Sequence, residues 1–467
     1  MSAKHIASHQ HPLRPGKGKS VDMTEGSILN HIVTFAVPLL VGNLFQQLYN
    51  MVDTWVVGNY VSNEAFSAVG SVAPVINILI GIFTGFSSGA GVVISQNYGA
   101  KRYDEVQKAV HTAAAMTVII GIVFTFLGIF LAPYMLRLMK TPDDEFPQSS
   151  AYQTIYFGGI IGLMVYNIGA GILRAVGDSK RPFYFLMVCA VMNTLLDLLF
   201  VLVFKMGVEG VALATVISQA TSALLITVTL FRTDTCVRVY LHKLRIHLHS
   251  LKRIVSVGIP ASIQMAVTAF SNVFVQSYIN QFGADSMSAW TAFSKVDNLF
   301  FLPVQSIALA STTFMGQNLG ANQIARAKKG VTTAVILSIC TTLTLLIPVM
   351  LFSRQIVGFF NSKEEVIHYG SMLMLWLTPF HIFGCFNQVY TGAMRGAGNT
   401  KAPMIIMLTS FVLFRQLYLF IMSQCWNELL PIAMSYPAGW ILCSILTTLY
   451  YKKTRLDKTR VVDDSKN

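Results

Sequence analysis

Long stretches without charged residues recur along this chain, and they constrain its fold more than any other feature of the sequence. A helix that crosses a lipid bilayer needs about 20 mostly apolar residues, and twelve stretches of this kind are present. Their approximate bounds are 28–58, 66–94, 109–136, 151–173, 183–204, 208–231, 254–283, 286–314, 330–353, 366–394, 402–423 and 429–451. Membrane strands would alternate apolar and polar residues over segments of about 10 residues. The pattern therefore predicts an all-α polytopic membrane protein with twelve transmembrane helices.

The charged residues lie mostly between the predicted spans. Only 12% of residues are charged, and the net charge is +13. Lysine and arginine concentrate near both termini and in alternate connections, whereas the opposite connections hold only Arg137, Lys140, Lys205, Arg354 and Lys363. Because short basic loops stay in the cytoplasm, we expect a multi-pass protein of the plasma (inner) membrane with both termini cytoplasmic. Topology and attraction to membrane lipids explain the positive charge, so no nucleic-acid partner is predicted.

Two short motifs occur twice in the chain at one constant spacing. Ser95–Ala100 (SQNYGA) matches Gly316–Ala321 (GQNLGA), and Leu173–Pro182 matches Met394–Pro403. The members of both pairs are 221 residues apart, so each half of the chain holds six predicted helices. Because six is even, both halves enter the membrane in the same orientation. This arrangement implies two six-helix lobes related by a pseudo-twofold axis along the membrane normal.

The repeat also divides the chain into segments. We predict a cytoplasmic N-terminal tail over 1–26, an N-lobe over 27–231, a basic cytoplasmic linker over 232–253, a C-lobe over 254–452 and a cytoplasmic C-terminal tail over 453–467. Two lobes joined by one tether can rock about a cavity between them. A monomer is the expected functional unit.

Five ionisable residues fall inside the predicted spans, namely Asp53, Asp197, Lys295, Asp297 and Arg415. An ionised side chain at the bilayer centre costs about 2.5 to 3.5 kcal/mol, so each one is a functional candidate. A carboxyl group in an apolar environment can bind and release a proton near neutral pH. The three residues of the second half are expected to form a neutralising cluster, for which structural pairing and substrate or ion handling are both open.

The first predicted span carries polar residues on one helix face. Asn43, Gln46, Asn50 and Asp53 recur at intervals of three or four residues, which places them along one side of a helix. Amide hydrogen bonds between packed helices would explain the amides alone, whereas the carboxylate favours a functional site. Pro38 lies early in the same span and predicts a kink or hinge.

A second polar pair lies on the fifth predicted span. Asn193 precedes Asp197 by one helical turn, so both side chains can face the same interior pocket. Phe274 and Tyr418 stand 221 residues after Asp53 and Asp197, so the two lobes differ in charge. The candidate residues for the substrate cavity and its movements are Gln46, Asn50, Pro38, Gln264, Lys295, Asp297 and Arg415.

These residues resemble the multidrug and toxic compound extrusion (MATE) transporters, in particular their DinF-like branch. Gln46–Asp53 (QQLYNMVD) is similar to the first-helix motif of that branch, Asn193–Asp197 (NTLLD) to its fifth-helix motif, and the two repeated loops to its repeat motifs. The resemblance extends from about residue 24 to residue 452. It implies a cation-coupling pocket in the N-lobe formed by Tyr49, Asp53, Asn167, Asn193, Asp197 and Thr215.

The resemblance also implies a function. We expect secondary active multidrug efflux of organic cations or other amphipathic compounds, by proton-coupled antiport with alternating access between the lobes. Protonation of the pocket would rearrange the first helix near Pro38 and release the substrate outside. H+ is the expected coupling ion and Na+, or both ions, the alternative. No other cofactor, no bound metal and no enzymatic activity are expected.

Three other functions would require residues that differ from those of this sequence. The NorM-like branch, which suggests sodium coupling through the C-lobe, carries a glutamate on the seventh helix, and no acidic residue occurs over 254–283. A lipid-linked substrate flippase of the same superfamily would line its cavity with many basic residues, whereas only Lys295 and Arg415 lie inside predicted spans. An intramembrane enzyme would need a nucleophile or metal cluster at one depth, and the scattered histidines have no such spacing.

Overall fold

The computed structural model describes residues 21–61, 63–138, 141–143 and 145–456. The parts of the predicted tails over 1–20 and 457–467 lie outside the described residues, as does Lys140. Within the described ranges every regular element is a helix. The helices are α1 Ile28–Tyr60, α2 Asn63–Gly99, α3 Tyr103–Leu138, α4 Phe146–Gly158, α5 Ile160–Ala175, α6 Lys180–Leu198, α7 Gly207–Arg232, α8 Leu248–Ile279, α9 Ala284–Gly320, α10 Ile324–Leu351, α11 Ser353–Phe360, α12 Glu364–Leu377, α13 His381–Gly396, α14 Lys401–Met407, α15 Arg415–Cys425, α16 Leu429–Ala433 and α17 Ser435–Lys453.

Several of the predicted spans consist of more than one helix. π-helical turns over Leu199–Val203 and Leu408–Phe414 extend α6 and join α14 to α15, and a 3₁₀ turn over Thr378–Phe380 joins α12 to α13. The axes of α4 and α5 differ by 46°. Eleven helices of the described chain are long and apolar enough to cross a membrane, and counting α4 with α5 as one broken span gives twelve. The predicted fold class is confirmed.

The break between α4 and α5 has a local cause. Gly159 separates the two helices, and its amide donates back to the carbonyls of Ile155 and Tyr156. A Cβ atom at Gly159 would overlap the side chain of Val216 on α7. Glycine therefore lets the chain bend at the point where it touches the neighbouring helix.

The two lobes touch mainly through α2 of the first lobe and α8 and α9 of the second, and α1 also packs against α9 and α10. A Cβ atom at Gly89 of α2 would lie 2.5 Å from the carbonyl oxygen of Ile254 and 2.8 Å from the amide of Gly258, both on α8. Helices in membranes approach this closely where small residues face each other. The connection between the lobes covers residues 233–247, because residues 248–253 of the predicted linker already belong to α8.

The repeated motifs close one end of the molecule by a reciprocal pair of hydrogen bonds. The side-chain amide of Gln96 donates to the carbonyl of Gly396 at 2.8 Å, and that of Gln317 donates to the carbonyl of Ala175 at 2.9 Å. Both donors and both acceptors are related by the same 221-residue spacing. Each lobe therefore holds the other through equivalent atoms.

Both described ends of the chain lie at this closed end. The amide of Met23 donates to the side chain of Gln317 at 2.9 Å, and the carbonyl of Met23 accepts from Asn318 and Arg326. Leu456 is buried in the same cluster as Met23. We call this end the basic face, because it carries the lysine- and arginine-rich connections that follow α2, α5, α7, α9 and α13.

The hydrogen bonds between the lobes lie toward the basic face. The hydrogen bonds that link the lobes in the described chain join residues 23–25, 82, 96 and 175 to residues 262, 317, 318, 326 and 396. The bonds made by α2 and α8 lie in the halves of these helices that are nearer the basic face. The space between the lobes is therefore closed toward the basic face.

Candidate functional site

Two carboxyl groups meet in the interior of the N-lobe. Asp53 on α1 and Asp197 on α6 are buried, and their carboxyl groups lie within hydrogen-bonding reach of each other. Oδ1 of Asp53 and both oxygens of Asp197 accept no hydrogen bond from any other described residue. Two carboxylates this close repel each other unless a proton or another cation lies between them. The pair is therefore able to bind a proton or a small cation.

Other buried polar groups lie on α6 and on α7, which packs against α6. Asn193, one turn before Asp197, is 1% exposed, and neither atom of its side-chain amide has a partner in the described protein. Thr215 on α7 is buried, and its hydroxyl donates to the carbonyl of Val211 at 3.0 Å, which leaves its oxygen free to accept. Carboxylate, amide and hydroxyl oxygens suit a proton or a hard cation.

Two tyrosines on α4 complete the surroundings of the pair and were not selected from the sequence. Tyr152 and Tyr156 are buried beside the carboxylates, with ring centroids 6.4 Å apart. The hydroxyl of Tyr156 accepts from the side chain of Gln219 at 3.4 Å. A signal was available, because Ser149, Tyr152, Gln153 and Tyr156 recur every one to three residues on a single buried face of α4.

A central cavity of about 630 Å³ lies between the lobes. Seven of the residues selected from the sequence line it, namely Pro38, Gln46, Tyr49, Asn167, Gln264, Asp297 and Arg415. Asp53 and Asp197 are not part of this lining and lie deeper in the N-lobe. Tyr49 lies close to Asp53 and also lines the cavity. It therefore lies at the border between the acid pair and the cavity, as does Cys189.

Two of the seven residues selected for the substrate cavity are not part of its lining. Lys295 is exposed on the outside of α9, with its ammonium 5.7 Å from the ring centroid of Phe360. It cannot join Asp297, because residues two positions apart on a helix point in different directions. Asn50 is also exposed. Asn50 lies one turn after Gln46, which lines the cavity, but is not itself part of the lining. The expected cluster of Lys295, Asp297 and Arg415 is therefore wrong for Lys295, whereas Asp297 and Arg415 do line the same cavity.

Asp297 is paired with a histidine instead. Its Oδ1 lies 2.7 Å from Nε2 of His381, and Nδ1 of the same ring lies 2.8 Å from the carbonyl oxygen of Thr378. A neutral imidazole has one N–H, and a carbonyl oxygen can only accept. Both hydrogen bonds can form only if the pair holds one proton more than a neutral imidazole and a carboxylate hold together. That proton lies on the imidazole or on the carboxyl group. The Asp297–His381 pair is electrically neutral in either case.

This geometry makes a testable prediction for Asp297→Asn. An asparagine amide can donate to a neutral His381, so the hydrogen bond survives while the shared proton is lost. Since Asp297 and Arg415 both line the cavity, we expect dye binding by the variant to change less with pH than dye binding by the wild type, because the shared proton is gone. Equilibrium dye binding to the purified protein at a series of pH values measures this. An unchanged pH profile would contradict the shared proton.

Three arginines line the cavity. Arg415 was expected. Arg174 and Arg395 directly follow the predicted spans 151–173 and 366–394 and were therefore expected in basic connections. They occupy the last turns of α5 and α13, which continue to Ala175 and Gly396. The expectation that only Lys295 and Arg415 are available as basic residues within the membrane is therefore wrong.

Comparison with known proteins gives the family. The sequence model of the MatE family matches residues 38–199 and 260–421, and these two ranges follow the internal repeat. The Bacillus subtilis (strain 168) protein named "Probable multidrug resistance protein YoeA" is 30% identical over 438 residues, which cover 91% of this chain and 94% of that protein. A second protein of the same strain, "Probable multidrug resistance protein YpnP", is 27% identical over 446 residues, or 94% and 98% of the two chains.

A solved structure shares the fold. It is described as the "Outward-facing conformation of a multidrug resistance MATE family transporter of the MOP superfamily", with a TM-score of 0.89 and 22% identity over 96% of this chain and 99% of the other. The chain therefore belongs to the MatE family and is a multi-pass membrane transporter rather than an enzyme.

Proposed function

We propose that this protein exports organic cations and other amphipathic compounds across the plasma (inner) membrane by proton-coupled antiport. The observation that carries the proposal is the buried pair of Asp53 and Asp197, which lies beside the central cavity but outside its lining. An ion and a substrate can then bind at separate places in the protein. The names of the curated relatives supply the substrate class, multidrug resistance.

The coupling follows from the position of α1. This helix carries Asp53, lines the cavity with Gln46 and Tyr49, and contains Pro38. Proline supplies no backbone N–H, so one hydrogen bond of the helix is missing and bending there costs less. A proton on the acid pair removes the repulsion between the carboxylates and changes how α1 packs against α6. Proton and substrate then favour different conformations, which is the condition for antiport.

The basic face is the cytoplasmic side in this proposal. Both described chain ends and the basic connections lie there, and short basic loops stay in the cytoplasm. The space between the lobes is then closed toward the cytoplasm, as in the conformation that releases an exported substrate. A single chain contains both lobes and the complete cavity, so we propose a monomer. The assignment to the DinF-like branch stays a prediction.

Two variants of this function are supported by particular observations. The oxygens of Asp53, Asp197, Asn193 and Thr215 suit Na+ as well as a proton, which supports a sodium-coupled or mixed antiporter. The three arginines at the cavity support a flippase for lipid-linked substrates. Both variants keep alternating access and change only the ion or the cargo.

Everted membrane vesicles test the proposal. With ethidium outside, we expect its accumulation when the interior is made acidic, and loss of the accumulated dye after a protonophore is added. A sodium gradient alone is expected to drive no accumulation. Accumulation driven only by a sodium gradient would mean that Na+ is the coupling ion. No accumulation under either gradient would contradict export of organic cations. Vesicles without the protein provide the baseline.

A further inference from the structure

We propose that the central cavity binds an acidic group of its substrate, with the guanidinium of Arg415 as the anchoring cation. The inference rests on the proposed transport function and narrows its substrate class. The preferred cargo is an amphipathic compound that carries a carboxylate or phosphate group, including zwitterions.

The charges that line the cavity are unbalanced. The charged residues of its described lining are Arg174, Asp297, Arg395 and Arg415. Asp297 is already bonded to His381, and that pair is neutral. None of the three arginines forms an ion pair with a described carboxylate. A guanidinium removed from water without a counter-charge is unfavourable, so an anion that enters this space is attracted.

Arg415 is held in one orientation. Its guanidinium lies between the rings of Phe411 and Tyr436, 4.6 Å and 4.5 Å from their centroids. Nη1 donates to Oδ1 of Asn272 at 3.0 Å and to the hydroxyl of Ser271 at 3.3 Å. A side chain fixed on both faces and at one nitrogen loses little entropy when it binds a ligand.

The other edge of this guanidinium is unused. Nε has no hydrogen-bond partner in the described protein. The residue opposite this edge is Gly439 of α17, and a Cβ atom there would lie 3.1 Å from Nε and 3.3 Å from Nη2. Nε is therefore buried against Gly439 without a partner, and a ligand approaches the guanidinium from the cavity that Arg415 lines.

Arg174 and Arg395 have a different explanation. They are related by the repeat. Each directly precedes a residue, Ala175 or Gly396, whose carbonyl accepts one of the two hydrogen bonds that close the basic face. A cation in the last turn of a helix also interacts favourably with the helix carbonyls. Arg395 further donates to Gln264 at 3.0 Å. We therefore assign these two to the closed end, where they add positive potential.

Arg415 has no such counterpart. Threonine occupies the equivalent position in the first lobe, 221 residues earlier, at Thr194. The repeat therefore does not require a cation here. Phe301 and Trp440 line the same cavity and give an apolar, aromatic surface for the remainder of an amphipathic compound.

The test uses two dyes that differ in one group, a rhodamine free acid and its ethyl ester, titrated against the purified full-length protein by fluorescence anisotropy. The wild type is expected to bind the free acid more tightly than the ester. Arg415→Gln is expected to weaken binding of the acid about tenfold, the effect of one charge-assisted hydrogen bond, and binding of the ester by less than about twofold. Lys295→Gln removes a cation outside the cavity and is expected to change neither.

Several results would overturn the proposal. These are an equal loss of affinity for both dyes in Arg415→Gln, an unchanged affinity of this variant for the acid, or a wild type that binds the ester more tightly than the acid. If Arg415→Gln does not fold, Arg415→Lys keeps the charge but loses the planar guanidinium held between Phe411 and Tyr436, and a selective loss of binding of the acid is again expected. Binding needs no ion gradient, so the binding result can be interpreted even if the protein does not transport as proposed.

The acidic group has two possible sources, which lipid competition separates. Displacement of the acid dye by phosphatidylglycerol but not by phosphatidylcholine supports the site and assigns the anion to a lipid headgroup. Displacement by neither lipid, with selective binding of the acid dye, supports the site and assigns it to soluble substrates. Equal displacement by both lipids would contradict recognition of an acidic group.

Discussion

Asp53→Asn and Asp197→Asn should each reduce ion-driven export to the level of vesicles that lack the protein, while the protein remains folded in the membrane. An amide has nearly the shape of the carboxyl group but binds no exchangeable proton. Each replacement also removes the repulsion between the two buried carboxyl groups. Binding of the coupling ion then no longer changes the interaction between α1 and α6. Dye accumulation in everted vesicles measures the effect, with the amount of inserted protein determined on the same membranes.

Asp285→Asn is the matched control for these two variants. Asp285 is paired with Lys363 on the face opposite the basic face, at 2.6 Å and partly exposed. Exposed ion pairs contribute about 0 to 1 kcal/mol, so we expect near wild-type export. Full export by either Asp53→Asn or Asp197→Asn would refute the role of the acid pair, since coupling would then not need both carboxyl groups.

Gly99→Ala and Gly320→Ala should shift the protein away from the conformation described here. These glycines end α2 and α9 in repeat-related positions. A Cβ atom at Gly99 would overlap the carbonyl of Gln317, and one at Gly320 would overlap the carbonyl of Gln96. The overlap involves backbone atoms of the other lobe, so the lobes must separate at the basic face to relieve it. Overpacking costs about 1 to 3 kcal/mol, which corresponds to about a 5- to 150-fold change in the conformational equilibrium.

Spin-label distances measured across the basic face by pulsed EPR report this shift. We expect a longer distance to become the main population in either variant, together with slower export. Gly70→Ala is the control, because it lies in α2 as well and a Cβ atom there meets nothing within 4 Å. Distances in Gly99→Ala and Gly320→Ala that match the wild type would mean that this contact does not hold the closed end.

The sequence predicted the spans and the repeat because both depend on local patterns. A run of apolar residues or a motif repeated at constant spacing needs no knowledge of the fold. Asp53 and Asp197 were also found, because a carboxylate within an apolar run is conspicuous on its own. Their meeting inside the N-lobe depends on the packing of α1 against α6.

The missed features depend on contacts between distant residues or on helix ends. Asp297 and His381 are 84 residues apart on different helices, and no spacing rule joins them. Arg174 and Arg395 were placed in basic connections because helix ends are not marked in the sequence by a drop in hydropathy. Lys295 was grouped with Asp297 by proximity along the chain, although the helical rotation separates them.

The two lobes carry different chemistry in this proposal. The N-lobe holds the pair of Asp53 and Asp197, which binds the coupling ion, and the C-lobe holds Arg415 and Asp297, which line the cavity. Duplicated halves that diverge in charge allow one fold to bind two different ligands. Conformational change then links them, because closing and opening of the basic face moves both lobes.

Substrate-driven proton movement tests the central claim most directly. The purified protein is placed in liposomes that contain a trapped pH indicator, and an ethidium gradient is imposed with no ion gradient. We expect protons to move against the direction of ethidium in the wild type, and no proton movement with Asp53→Asn. Ethidium transport by the wild type without proton movement, or equal proton movement by the wild type and the variant, would contradict proton-coupled antiport through this site.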